Sequence, residues 1–144
     1  MTKFLFISVK PEFANKLISK TKTIELRKNR PNVNIGDFII IYATVPIKSV
    51  IGFGKIKRII DDTPQNIWLN YSNQLGIDNS RYFEYYKDTN RAIGIEIHSI
   101  CKLPFTINLA DIRTFIPKFS PPQSYKYITN FKALKTYSMI KQFS

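Results

Sequence analysis

The chain has 144 residues, of which 44% are hydrophobic and 14% aromatic, and it carries a net charge of +12. This composition excludes a disordered chain and predicts one domain, residues 1–144, with a core of its own. No apolar run approaches the roughly 20 residues of a membrane-spanning helix, so we expect no membrane partner. One cysteine, Cys101, and one histidine, His98, exclude a disulfide framework and leave too few ligands for a metal site. We therefore expect no cofactor and a cytoplasmic location.

The first part of the chain alternates strand and helix signals. Residues 4–9 are an apolar run of strand length, and Pro11 suits the first turn of a helix. Residues 23–29 alternate polar and apolar side chains and predict a second strand. Residues 38–43 are continuously apolar, which predicts a third strand that is buried on both faces.

Two glycines mark the next predicted strand, residues 49–60. Gly52 and Gly54 fall on the same face of this strand. Such a pair indicates a bend, a bulge or the close approach of a neighbouring group. Of these, a bend that helps to close a small barrel is the commonest.

Two helices are predicted before the chain returns to the sheet. Thr63 followed by proline is a typical helix start, and Gly76 is a typical stop. Ser80 is the candidate cap of the second helix. That helix carries four aromatic residues, which could stack bases but at helical spacing more often form core: Tyr82, Phe83, Tyr85 and Tyr86.

The last part of the chain predicts a strand at residues 92–100 and a helix at residues 109–115, capped by Asn108. His98 lies on the polar face of that strand, where a solvated side chain is expected. The prolines near residue 121 end the helix, and a basic C-terminal segment follows in which Phe131, Leu134 and Ser138 are helically spaced. The element order favours an α+β fold around a curved or barrel-like sheet.

A basic cluster around one carboxylate occupies residues 20–30. On a strand, Glu25 and Arg27 would point to the same side, roughly 6.6 Å apart. With Lys22 they could form either a structural ion pair or the wall of a polar pocket, because arginine recognises anions through two donors and glutamate accepts from a base amino group. Charge and spacing alone leave both interpretations open.

The charge is unevenly distributed along the chain. Residues 1–60 hold twelve basic and three acidic side chains, residues 61–117 hold five and seven, and residues 118–144 hold five lysines and no acid. Such asymmetry indicates a surface for an anionic partner, of which nucleic acid is the commonest and an acidic protein another. A genome whose base composition favours lysine codons explains the same residue counts equally well.

The spacing Lys20-x-Lys22-x-x-Glu25-x-Arg27 resembles the signature of ASCH domains, a branch of the PUA-like superfamily, usually written Gly-x-Lys-x-x-Glu-x-Arg. Here too the motif follows a first strand and helix, and residues 36–43 and 50–54 resemble the family's next strands. Residues 121–125 are similar to a C-terminal element of larger members. The departure is Lys20, which stands where the family usually has glycine.

This resemblance implies a PUA-like small curved β-barrel with flanking helices and a basic cleft for RNA, another nucleic acid or a nucleotide-like ligand. Our leading interpretation is a binding module that does not catalyse a reaction on its own and that has a regulatory role. The expected ligand-binding residues are Lys10, Lys22, Glu25, Arg27, Lys28, Arg30, Tyr42, Gln123, Ser124 and Tyr125, with Arg27, Lys28 and Arg30 on phosphates.

An enzymatic alternative also follows from the resemblance. Some small members resemble amidohydrolases for acetylated cytidine that use a lysine, a threonine and a glutamate, and others are ribonucleases. Lys22 matches the lysine, but Glu25 stands where that subgroup has threonine, which weakens the amidohydrolase interpretation. In a hydrolase acting on RNA or a modified nucleoside, Lys22 and Glu25 would be the acid–base pair.

Overall fold

The computed structural model describes residues 3–128, which contain six strands and four helices. The strands are Phe4–Val9 (β1), Ile24–Arg27 (β2), Phe38–Ala43 (β3), Ser49–Asp62 (β4), Ala92–Asn108 (β5) and Tyr125–Ile128 (β6). The helices are Pro11–Ser19 (α1), Pro64–Tyr71 (α2), Asn79–Tyr85 (α3) and Leu109–Phe115 (α4), with a short 3-10 turn at Ser72–Gln74.

All six strands belong to one mixed sheet in the order β2-β5-β4-β3-β1-β6. The pair β1 and β3 is parallel, since α1 and β2 intervene, and the other neighbours are antiparallel. The sheet curls into a half-barrel with the four helices around it. The expected α+β fold with a PUA-like curved sheet is confirmed.

Strands β1 and β3 are buried on both faces, which for β3 confirms the expectation from its continuous apolar sequence. Alternation sends Leu5, Ile7 and Val9 to a core beneath α1. It sends Phe4 and Phe6 to a second core on the opposite face, beneath α4. A third core lies between the edge strand β2 and helices α2 and α3.

The two glycines of β4 mark close approaches between strands, one of the three expected possibilities. A Cβ on Gly52 would lie 2.7 Å from the carbonyl oxygen of Cys101, and one on Gly54 would lie 2.7 Å from a methyl group of Ile97. The β4–β5 register also shifts at three places, so bulges accompany the approach.

Helices α2 and α3 lie where the sequence predicts them, but some of their end residues differ from the prediction. The Thr63 hydroxyl accepts from the backbone N–H of Asn66 as the predicted cap. The predicted cap of α3 was wrong, because Asp78 and not Ser80 accepts from the N–H of Arg81. Helix α2 ends at Tyr71, before Gly76. Tyr82 and Tyr86 are buried and Phe83 packs against the same core, which confirms the core assignment for three of the four aromatic residues.

The strand prediction for the C-terminal part was too short. β5 continues to Asn108 although it was expected to end at residue 100. β6 was not expected at all, and it pairs antiparallel with β1. The predicted helical spacing of Phe131, Leu134 and Ser138 lies outside the described residues.

Lys20 ends α1 in the left-handed conformation, with a φ of 67°. A side chain there is strained, and glycine is not, so the family's preference for glycine at this position has a physical reason. We expect Lys20→Gly to raise the free energy of unfolding by about 1 kcal/mol in urea denaturation. Ser19→Gly, one residue earlier in helical conformation, should lower it. A loss of stability in Lys20→Gly would contradict this account.

Candidate functional site

The two edges of the curled sheet approach each other at the side chain of Arg27, on the edge strand β2. One guanidinium nitrogen, Nη2, donates to the carbonyl oxygen of Ser8 on β1 at 2.9 Å. The other, Nη1, donates to the Ser124 hydroxyl at 3.2 Å, just before the opposite edge strand β6. Arg27 therefore joins β2 to β1 and to the start of β6, although the strands themselves do not pair there.

We call this meeting of the two sheet edges at Arg27 the seam. A buried ion network of Lys22, Glu25 and Arg27 lies there. Arg27 Nη2 lies 2.7 Å from Glu25 Oε2, and Lys22 Nζ lies 3.6 Å from Glu25 Oε1. Only 2% of Lys22 and 6% of Glu25 are exposed. Two cations thus share one carboxylate in a place where an unpaired charge is strongly disfavoured.

Lys22 reaches the seam because of the glycine that follows α2 and its 3-10 turn. The ammonium group donates to the carbonyl oxygen of Leu75 at 2.6 Å and lies 5.4 Å from the centre of the Phe13 ring. Gly76 has a φ of +64°, and a Cβ on it would lie 2.6 Å from the Cβ of Lys22. Glycine at position 76 therefore serves the passage of the lysine stem and does not stop a helix.

Burial lowers the pKa of Lys22, and the neighbouring Glu25 carboxylate opposes that shift only in part. The unfolded chain then binds more protons than the native protein between the lowered pKa and the ordinary value of 10.5. Stability attributable to Lys22 should accordingly rise with pH in that window.

Urea denaturation of the wild type and Lys22→Met across this pH range measures the effect. The wild type should gain stability relative to the variant as the pH approaches 10.5. Buried tyrosines are common to both proteins, so the difference isolates Lys22. A difference that stays constant, or that falls with pH, would contradict the pKa shift.

An open pocket of about 400 Å³, which we call the seam pocket, lies against the ion network. Five of the expected ligand-binding residues line it: Lys10, Lys22, Glu25, Arg27 and Gln123. Its lining also includes residues that the sequence analysis did not single out, among them Phe13, Thr44, Ile77 and Tyr85. Tyr85 belongs to the aromatic group for which base stacking was the alternative to core packing. It is the member of that group that is substantially exposed, at 39%.

The other expected residues lie outside this lining. Ser124 is next to it, bonded to Arg27. Lys28 is exposed, with its ammonium 4.7 Å from the centre of the Tyr85 ring. Arg30 pairs with Asp61 at 3.6 Å.

Tyr42 and Tyr125 pack into the protein. Tyr42 is 2% exposed, 5.5 Å from the Phe6 ring in the second core, which is consistent with a strand buried on both faces. Tyr125 on β6 packs against the core beneath α1. Neither ring lines the pocket, although both residues were expected to bind the ligand.

The two interpretations of Glu25 and Arg27 both hold. They form an ion pair, and the same pair is the wall of a pocket. The two terminal nitrogens of Arg27 already donate to Ser8, Ser124 and Glu25. Its buried Nε has no hydrogen-bond partner among the described residues. Arg27 thus holds the seam and Glu25 in place, and its terminal nitrogens are not free for a phosphate.

The family model of the ASCH domain matches residues 7–104. The chain belongs to the ASCH domain family, as the spacing around Glu25 suggested. An ASCH domain-containing ribonuclease of Zymomonas mobilis subsp. mobilis is 31% identical over 136 residues, which are 94% of this chain and 91% of that protein.

Solved structures agree with this assignment. The crystal structure of ASCH from Zymomonas mobilis has a TM-score of 0.90 at 31% identity and covers 95% of each chain. The human THYN1 protein in complex with 5-methylcytosine-containing DNA has a TM-score of 0.59 at 11% identity, covering 97% of this chain and 98% of that one. The second likeness concerns the fold alone. None of the described helices is long and apolar enough to cross a bilayer.

Proposed function

We propose that this protein binds single-stranded RNA and that the pocket at the seam receives one unpaired nucleotide. The observation that carries the proposal is the convergence of Lys22 and Glu25 on an open pocket with the exposed Lys10 beside it. A volume of about 400 Å³ is in the range of small-ligand pockets, roughly 300–1,000 Å³. The pocket therefore suits a nucleotide better than a flat surface of salt bridges would.

The walls of the pocket have an apolar part and a polar part, which match the apolar faces and the polar edge of a base. Phe13, Ile77 and Tyr85 offer apolar surface for a base, and aromatic rings stack on bases of any sequence. Glu25 can accept from a base amino group, and Lys22 has a third proton besides those directed to Leu75 and Glu25. These two groups would orient the base within the pocket.

The exposed lysines would contact the phosphates. Lys10 precedes α1 and lines the pocket, and Lys28 lies over the Tyr85 ring. Arg27 was expected to contact phosphate, but its terminal nitrogens are occupied, so we assign it a positioning role. Arg30, paired with Asp61, is not part of the proposed site.

RNA is the preferred partner because a relative that is 31% identical, over nearly the whole length of both chains, is named a ribonuclease. We also propose a cytoplasmic location, where RNA is available and where the unpaired thiol of Cys101 stays reduced.

Fluorescence anisotropy with a labelled single-stranded RNA and its duplex, over a range of salt concentrations, tests the proposal. The single strand should bind more tightly than the duplex, since only unpaired bases can enter the pocket. Affinity should fall steeply with salt, because phosphate contacts release counterions. No binding at low salt, or a preference for the duplex, would refute the proposal.

RNA cleavage is a second candidate function, favoured by the ribonuclease relative and by the lowered pKa of Lys22. A buried lysine with a lowered pKa can act as a general base, here on a ribose hydroxyl, with Glu25 3.6 Å away as its proton partner. Incubation of labelled RNA with wild type and Lys22→Met decides the matter. Cleavage that falls at least about 100-fold in the variant supports it. Cleavage that is equal in both proteins, or absent from the wild type, removes it.

A further inference from the structure

A second depression, of about 290 Å³, adjoins the segment that leads into β2. Its lining includes Lys20, Lys57, His98 and Ser99. Lys22 lines both this depression and the seam pocket, so the two are neighbours on either side of residues 20–23. We call the second depression the rear groove.

Three departures from regular backbone geometry surround the rear groove. Lys20 and Ser99 have positive φ values of 67° and 54°, which side-chain-bearing residues rarely adopt. Lys57 is an extra residue on β4, because Ile56 and Arg58 pair with consecutive residues of β5. Bulges redirect side chains, and strained residues cluster at functional sites. All three meet in one groove, so the backbone here departs from regular geometry on the segment before β2, on β4 and on β5.

The side chains in the rear groove form a cationic surface. Lys20 and Lys57 are exposed, and neither has a carboxylate partner among residues 3–128. The carboxylate in the lining, Glu96, is engaged by Arg58, whose Nε lies 2.5 Å from Glu96 Oε1. The free charge that remains in the groove is therefore positive, and Ser99 adds a hydroxyl next to it.

We infer that the rear groove binds backbone phosphates of the nucleic-acid strand whose unpaired nucleotide occupies the seam pocket. This inference rests on the proposed function and adds a second contact region to it. It also accounts for lysine at position 20. Glycine would relieve the strain there, but it would remove one of the two unpaired ammonium groups of the groove.

The test compares two double variants that lose the same charge. Lys20→Gln/Lys57→Gln empties the groove of its unpaired ammonium groups. Lys118→Gln/Lys102→Gln is the control, because both lysines are exposed and Lys118 has a positive φ of 63°, like Lys20. Anisotropy is measured over a salt series with a labelled 12-nucleotide single-stranded RNA and with a labelled dinucleotide. The single variant Lys57→Gln is measured as well, so that the test still stands if the double variant does not fold.

The groove variant should bind the 12-mer roughly tenfold more weakly than the wild type at moderate salt. Its slope of log affinity against log salt should be shallower by about 1.4, which is 0.7 for each of two phosphates. Lys57→Gln alone should show about half of that change in slope. Dinucleotide binding should be unchanged, and the control should keep the wild-type slope for the 12-mer.

Two results would overturn the inference while leaving the proposed function intact. One is a 12-mer slope that is the same in the groove variant and the control. The other is saturation of the groove by inorganic phosphate, seen in the amide shifts of His98 and Ser99, without any effect of the groove variant on the 12-mer. A wild type that binds neither RNA would instead refute the proposed function itself.

Discussion

Replacement of Glu25 by alanine is expected to lower the free energy of unfolding by about 3–5 kcal/mol. The substitution leaves Lys22 and Arg27 as neighbouring cations without their shared carboxylate. Both are largely buried, so solvent cannot replace the lost interaction. Since domains of this size are stable by about 5–15 kcal/mol, the variant should lose a large part of its stability.

Urea denaturation measures this effect. Glu84→Ala is the matched control, because its partner Lys87 lies 2.8 Å away on the surface and the pair should contribute little. Lys22→Met/Glu25→Gln removes two buried charges together and should recover much of the lost stability. If Glu25→Ala were as stable as Glu84→Ala, the network would not be a buried one.

Tyr85→Ala is expected to weaken binding of single-stranded RNA roughly tenfold to a hundredfold. The ring lines the pocket, and loss of an aromatic platform under one base costs about 1–3 kcal/mol. Each 1.4 kcal/mol is about a factor of ten in the dissociation constant. The variant should fold normally, because the buried tyrosines Tyr82 and Tyr86 maintain the core beside it.

The control for this prediction is Tyr127→Ala. Tyr127 is 40% exposed, against 39% for Tyr85, and it lies on β6 outside the pocket lining. Anisotropy should show nearly wild-type affinity for Tyr127→Ala. Equal losses in the two variants would mean that RNA contacts exposed tyrosines in general and that the pocket has no special role.

Local signals predicted the parts of the fold that depend on neighbouring residues. The continuous apolar run of β3 specifies a strand that is buried on both faces, and the apolar run of β1 specifies a strand. The hydroxyl of Thr63 specifies a helix start. The spacing around Glu25 predicted the family correctly.

Features that depend on distant partners were missed. β6 is four residues long, close behind two prolines, and is held by pairing with β1 more than 100 residues away in sequence. The extension of β5 was hidden by Pro104, because proline inside an apolar run argues against a strand. The structure tolerates Pro104 where the β4–β5 register is irregular, between the pairs at Lys102 and Ile107.

The site was predictable in its composition but not in its roles. Lys22, Glu25 and Arg27 do converge, but nothing local indicates that Lys22 is 2% exposed or that Gly76 makes room for it. The hydrogen bond between Arg27 and Ser124 spans 97 residues of sequence. That bond turns an expected phosphate ligand into a structural one.

Amide chemical shifts of the 15N-labelled protein during titration with a single-stranded RNA oligonucleotide test the central claim most directly. The account predicts the largest changes at residues around the seam pocket: Lys10, Lys22, Leu26, Thr44, Ile77 and Gln123. Residues near Ile35, on an exposed turn outside that lining, should not change. Binding that leaves the pocket amides unshifted would contradict the claim that the pocket receives a nucleotide.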